Sequence, residues 1–199
     1  MLLFYMLIAF PMLVVCGVLA IEYQRVLTAN RVSYQVADAA AAAGTLQLVP
    51  LDGVDESTYN QLGCTDPSLW SMCLYDATKG VTVTDPSTGQ AMETVQDVVA
   101  AVKTAYADAL KNGEGARLST VVSVEVVSVT QASRDAGGKF TPATVKVSVK
   151  YKAPTMGFLA LGRLIGASVS TDTVYEVRSS GYVCSPGESG STANGECVR

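Results

Sequence analysis

The chain opens MLLFYMLIAFPMLVVCGVLAI over residues 1–21 and continues EYQRVLTANRVSYQVADAAAAAG over residues 22–44. The first stretch has no charged residue, and a helix needs ~20 apolar residues to cross a hydrocarbon core. Unpaired backbone groups are costly in lipid, so such a run is predicted to be helical. The second stretch brings in Glu22, Tyr23, Gln24, Arg25, Asn30, Arg31, Ser33 and Asp38 without breaking the period. Val26, Ala29, Val32, Val36, Ala39, Ala40 and Ala43 recur at intervals of mostly three and four, an apolar stripe on one helical face. Together the two stretches predict one helix over residues 1–48, about 70 Å long at ~1.5 Å per residue. A rod of that length cannot be buried inside a 199-residue monomer, so half of it must be covered by lipid or by copies of itself.

In the leading half, Leu2, Leu3, Leu7, Leu13, Val14, Val18 and Ile21 spread around the whole helix. A helix apolar on every side is buried on every side. Ala9, Gly17 and Ala20 are small enough for close helix approach. The expected self-association surface is therefore Leu3, Leu7, Pro11, Leu13, Val14, Gly17, Val18 and Ile21, closed off by Glu22 and Arg25. Pro11 cannot donate to the carbonyl of Leu7, which predicts a kink or a locally opened turn. Glu22 and Arg25, three residues apart, pair either within one chain or between copies, and Arg31 and Asp38 form a second, solvated or interfacial pair. Val32, Val36, Ala40 and Ala43 are expected to seat the second half on the remaining domain. A plain membrane anchor explains the apolar run equally well, but explains less well the small, mixed surface from Val26 to Ala43. A tryptophan at Ala40 is thus expected to spare insertion and block association.

A cleaved signal peptide fits poorly, because there is no basic n-region and the helical pattern runs straight on. The first charge is Glu22. Inserted spans normally carry Lys or Arg on their inner flank. The expectation is that Met1 is the end of a processed chain that has lost a short basic leader, the alternative being an ordinary translation start.

Beyond the rod, composition excludes more than it assigns. Net charge is −4, with neither a basic cluster nor an aromatic platform, so nucleic acid is not an expected partner. Histidine is absent, which removes the commonest general base and metal ligand. No phosphate loop or dinucleotide fingerprint is present. Asp52 with Asp55, or Asp66 with Asp85, are loop carboxylates without an EF-type calcium pattern. No enzymatic activity, cofactor or metal is expected.

Of five cysteines, Cys16 sits in the apolar run, where a thiol acts as a small hydrophobe. The other four allow three connectivities. The expected one is sequence-local, Cys64–Cys73 and Cys184–Cys197, which places the globular part in an oxidising compartment.

After the rod, residues 50–79 are turn-rich and read as an ordered loop, with Trp70 packed on the domain. Residues 80–84 (GVTVT) read as a short strand, and Asp85-Pro86 with Gly89 as a turn. Residues 91–110 predict a helix with Val95, Val98, Val99, Val102, Tyr106 and Leu110 on one face, stopped by Asn112-Gly113. Residues 118–129 and 144–151 read as strands joined by a hairpin-type loop. In the latter, Val145, Val147, Val149 and Tyr151 face one way while Lys146, Ser148 and Lys150 face solvent. Residues 156–165 read as a short apolar helix and residues 167–182 as a further strand.

Two stretches resemble a known family. Residues 26–44 (VLTANRVSYQVADAAAAAG) look like the segment that follows the transmembrane helix in TadE/TadG-like proteins of tight-adherence, Flp-type pili. Residues 145–178 (VKVSVKYKAPTMGFLALGRLIGASVSTDTVYEVR) resemble the C-terminal part of that family. They cover under half the chain, and their motifs are compositional. The resemblance implies a subunit of, or an accessory to, a type IV pilus-like filament, held in the inner membrane before assembly and handled by a prepilin peptidase and a pilus assembly machinery. Type IV pilins usually carry a glutamate at the fifth residue of the processed chain; Tyr5 stands here. The von Willebrand-type metal motifs of longer members are absent. The resulting expectation is an α+β, pilin-like protein. Its N-terminal helix packs on an antiparallel sheet of three to four strands, with residues 49–199 as an extracytoplasmic domain. The alternatives are a minor or tip pseudopilin and a membrane-anchored binding domain that never polymerises.

Overall fold

A computed structural model of the protein describes residues 2–111, 120–152 and 174–183. The fold is α+β: a long N-terminal helix and an antiparallel three-stranded sheet. Helix α1 spans Leu2–Thr45 and runs without interruption through Pro11. It ends as Leu46 N–H donates to the Ala43 carbonyl and Gln47 N–H to that of Gly44. The Thr45 hydroxyl meanwhile donates to the Ala42 carbonyl.

The turn-rich segment holds more regular structure than its composition predicts. It contains α2 (Glu56–Leu62), capped by Gly63 in the left-handed conformation, and 3-10 turns at Pro67–Met72 and Ala77–Lys79. Short helices of this kind escape periodicity because one or two turns present too few apolar positions. Here the 3-10 turns are fixed by side-chain caps: Asp66 accepts from Ser68 N–H and Asp76 from Thr78 N–H. The expected strand over residues 80–84 is reduced to a single bridge, Thr84 to Ala91. Cys64 and Cys73 form a disulfide, with Cα atoms 6.0 Å apart. Closing so short a loop contributes ~2–3 kcal/mol. Trp70 stacks on Tyr59 with centroids 4.5 Å apart, and its indole N–H donates to the Cys64 carbonyl. The Cys184–Cys197 pairing, the helix over 156–165 and the Asn112-Gly113 stop fall outside the described residues.

Helix α3 is Val95–Lys111, four residues shorter at its start than the periodicity suggests. A capping box sets the boundary: Thr94 N–H and hydroxyl both donate to the Asp97 carboxylate, and Asp97 N–H donates back to the Thr94 hydroxyl.

The sheet has the order β1 (Thr120–Thr130), β4 (Thr144–Lys152), β5 (Val174–Tyr182), both pairings antiparallel. A small hairpin, β2 (Ser133–Arg134) with β3 (Phe140–Thr141), links the first two. Strand β1 has eleven residues against nine on β4, because register shifts fall at Val122 and Val127. Each is the second valine of a Val-Val pair, and with each set aside β1 alternates inward and outward like its neighbour. On β4, Val145, Val147, Val149 and Tyr151 are buried as expected. Ser148 departs from expectation: it is buried on the outer face, where its hydroxyl donates to Glu176 at 2.7 Å.

The inner face of the sheet carries α1 and α3. Asp38 accepts from the Ser179 hydroxyl, and one turn on, Ala41 lies against Gly181. Helix α1 therefore runs parallel to β5 and antiparallel to β4. The core between these layers joins Val36, Ala37, Ala40 and Ala41 to Val95, Val99, Val145, Val147, Val149 and Val177. A second cluster, Val49, Tyr59, Leu62, Tyr75 and Val83 around the disulfide, covers the far end. Gln131 ties this second cluster to the sheet: its amide accepts from Leu74 N–H and donates to the Leu74 and Leu62 carbonyls.

Candidate functional site

The site is the leading half of α1, which leaves the domain with its apolar surface uncovered. Phe10 and Leu13 are each 71% exposed. Met6, Met12, Val14, Leu19 and Ile21 are exposed as well, and together they cover well over half of the helix circumference. Residues Ala9–Thr45 are long and apolar enough to include a membrane span, and almost none of that span's apolar window is buried by the chain itself. Covering an exposed Leu, Met or Phe is worth ~1.5–3 kcal/mol, so sheathing this rod is worth on the order of 10–20 kcal/mol. Water is its least favourable surrounding.

Of the expected association residues, Pro11, Leu13, Val14, Gly17 and Ile21 are exposed, and Val18 is half-buried. The side chains of Leu3 and Leu7 lie outside the described ones. Among the described residues, no side chain comes within contact distance of a methyl placed on Gly17, so the rod keeps a notch there. Glu22 pairs with Arg25 in the first of the two ways expected. It is only 2% exposed and sits within its own chain, with a carboxylate oxygen 3.6 Å from the Arg25 guanidinium. Within this chain the pair marks where the exposed stretch of α1 meets the domain. Tyr23, immediately beyond, is exposed, and with Arg25 it places an aromatic and a cation at the end of the apolar span.

The second half of α1 buries a different stripe from the one the spacing suggested. Ala29, Ser33, Val36, Ala37, Ala40, Ala41 and Gly44 face the sheet. Val36 and Ala40 belong to this face, Val32 and Ala43 flank it half-buried, and Ala39 is exposed. Ser33 is tolerated in the core because its hydroxyl donates to the Ala29 carbonyl. Arg31 and Asp38 do not pair: Asp38 is engaged by Ser179, while Arg31 is exposed. Because Ala40 is fully buried, tryptophan there would break the fold rather than probe an interface. Most small residues of this half are occupied by the chain's own sheet, while Leu27, Tyr34 and Ala39 stay exposed on its other side.

The loop carboxylates have local work. Asp66 and Asp85 are held below the usual carboxylate range by hydrogen bonds from Ser68 and Ser87 respectively. Thr94 lowers Asp97 in the same way, and Arg178 followed by Ser148 lowers Glu176. Burial raises the Tyr59 and Tyr151 phenols, reinforced by Asp52 and by Tyr175 and Tyr34 respectively. Depressed carboxylates stabilise the fold above their unfolded values and lose that contribution as pH falls through the folded ones. Raised phenols do the reverse at the alkaline end. Thermal melting across pH should give a plateau that falls below about pH 4 and again above about pH 10. A midpoint that moves between about pH 5 and 8 would contradict it.

No protein-family profile, no curated protein and no solved structure matches the chain, so what it does has to be argued from the rod and the domain that carries it.

Proposed function

We propose that the chain is a structural subunit of a type IV pilus-like, tight-adherence-type extracellular filament, assembled through the leading half of α1. One observation carries this reading: the apolar start of α1, ~30 Å long over some 20 residues, whose described side chains from Met6 to Ile21 are exposed apart from the half-buried Val18. Before assembly a lipid bilayer sheathes it, and in the fibre sister rods do. Exchanging one apolar surrounding for another leaves transfer nearly balanced, so packing at the small positions Ala9, Gly17 and Ala20 decides the outcome. The inner membrane is the store, and a prepilin peptidase and pilus machinery are the expected handlers. The buried Cys64–Cys73 bridge supports a domain that matures in an oxidising compartment.

The competing reading is a membrane-anchored surface domain. It is favoured by the second half of α1, most of whose small residues pack on the chain's own sheet. Electron microscopy of material sheared from the cell surface separates the two. Fibres labelled along their length by an antibody to the globular domain are expected. Label only at fibre ends would make the chain a tip subunit, and label only on membrane fragments would make it an anchor.

A further inference from the structure

The two outer strands of the sheet carry a matched pair of edges. Among the described residues, neither β1 nor β5 has a backbone partner beyond β4. Strand β1 is eleven residues long with a single charge and no proline, and it exposes Val122 and Val127. Natural edges are usually blunted by shortness, proline or charge, and an open one is a template for another strand. Two bulges twist that edge, at Val122 and Val127, and leave Glu125 between them in regular register with Ser148.

Register places opposite charges at the two ends of one rung. Glu125 pairs with Ser148, and Ser148 pairs with Arg178, so the row reads Glu125, Ser148, Arg178 across the outer face. Both end side chains reach solvent. Glu125 is 59% exposed, with Lys150 3.7 Å away, and Arg178 is 71% exposed, with Glu176 2.8 Å away. Strands β1 and β5 are both antiparallel to β4 and therefore parallel to each other. A second copy displaced along the row, by three strand spacings of ~4.8 Å, sets its β1 beside the first copy's β5 as a parallel pair. On that rung Arg178 of one copy meets Glu125 of the next. Self-pairing of β1 about its centre would instead oppose Glu125 to Glu125.

We infer that the outer edges of β1 and β5 join neighbouring copies head to tail, extending the sheet from one globular domain into the next, with Arg178 and Glu125 fixing the register. The contact is heterologous and open, so it propagates instead of closing a dimer. It rests on the reading that copies associate and adds a second contact to the rod.

Full-length Glu125→Arg and Arg178→Glu chains, each with its own tag, test it. Alone, each opposes like charges at every contact and is expected to yield about tenfold less assembled material than wild type. Expressed together, the two can alternate. The substituted edge of one variant then faces the substituted edge of the other with opposite charges, and the unchanged Arg178 and Glu125 meet at the contacts between. Assembly is expected to return to near the wild-type level with both tags in the same fibres. Single variants that assemble like wild type would overturn the edge contact and leave the rod reading intact. A loss that co-expression does not repair would place the defect inside each domain and also overturn it. A wild-type chain that never assembles removes both readings together.

Discussion

Leu13→Lys is expected to abolish fibres and to release the chain from the membrane. Leu13 lies near the middle of the uncovered rod and is 71% exposed, so the substitution disturbs no contact within the domain. A lysine near the centre of a spanning helix costs about 2.5–3.5 kcal/mol on insertion scales, and the lost leucine adds to that. At ~1.4 kcal/mol per tenfold, membrane retention should fall by roughly a hundredfold or more. Between packed rods the charge has no water to reach, so fibre formation should fall at least as far. Carbonate extraction of membranes and microscopy of sheared material read the two effects. Ala39→Trp is the companion, because Ala39 is exposed on the second half where Ala40 is not. If only the leading half associates, it should leave both readouts near wild type. Normal fibres from Leu13→Lys would remove the rod from the interface.

Gly181→Val is expected to unfold the globular part, at a cost of about 3 kcal/mol or more, the upper end of what overpacking does. A Cβ on Gly181 would stand 2.6 Å from the Ala41 carbonyl oxygen and 2.9 Å from its carbon. The obstruction is backbone on both sides, helix against strand, and neither can step aside without separating α1 from the sheet. Gly44 is the control. A Cβ there meets only methyl groups of Val145, Val99 and Val95 at 3.1–3.3 Å, which can give by a few tenths of an ångström. Gly44→Ala should therefore cost much less, and urea denaturation of the two variants side by side measures the difference. Equal midpoints would mean that α1 does not rest on β5 as closely as described.

Much of the architecture is legible in the chain because it depends on local pattern. The span of α1 follows from an apolar run with no breaker but Pro11, in a helix whose neighbours can accommodate the missing bond. Strand β4 follows from period-two alternation, and the Cys64–Cys73 bridge from two cysteines nine residues apart in a turn-rich stretch. The two bulges of β1 are not legible there; they show only once β4 is paired beside it and each doubled valine leaves one residue unpaired. Nor are helix α2 and the 3-10 turns. They are too short to show a period, and the bonds that cap the turns are ones that any Asp or Ser in a loop can make elsewhere.

The sequence by itself determined that a rod longer than its domain would leave apolar surface uncovered. Hydrophobicity and length settle that without reference to any partner. Tertiary structure alone decided which side of the second half is inward. Alanine is small enough to serve on either face, so a run such as Ala39–Ala43 carries no preference of its own. The choice falls to Gly181, where the absence of a side chain on β5 lets the backbone of α1 close in at Ala41. That docking draws Ala37, Ala40, Ala41 and Gly44 inward and turns Ala39 out. A close approach between elements so far apart along the chain is a property of two surfaces meeting, which no reading of either one in isolation contains.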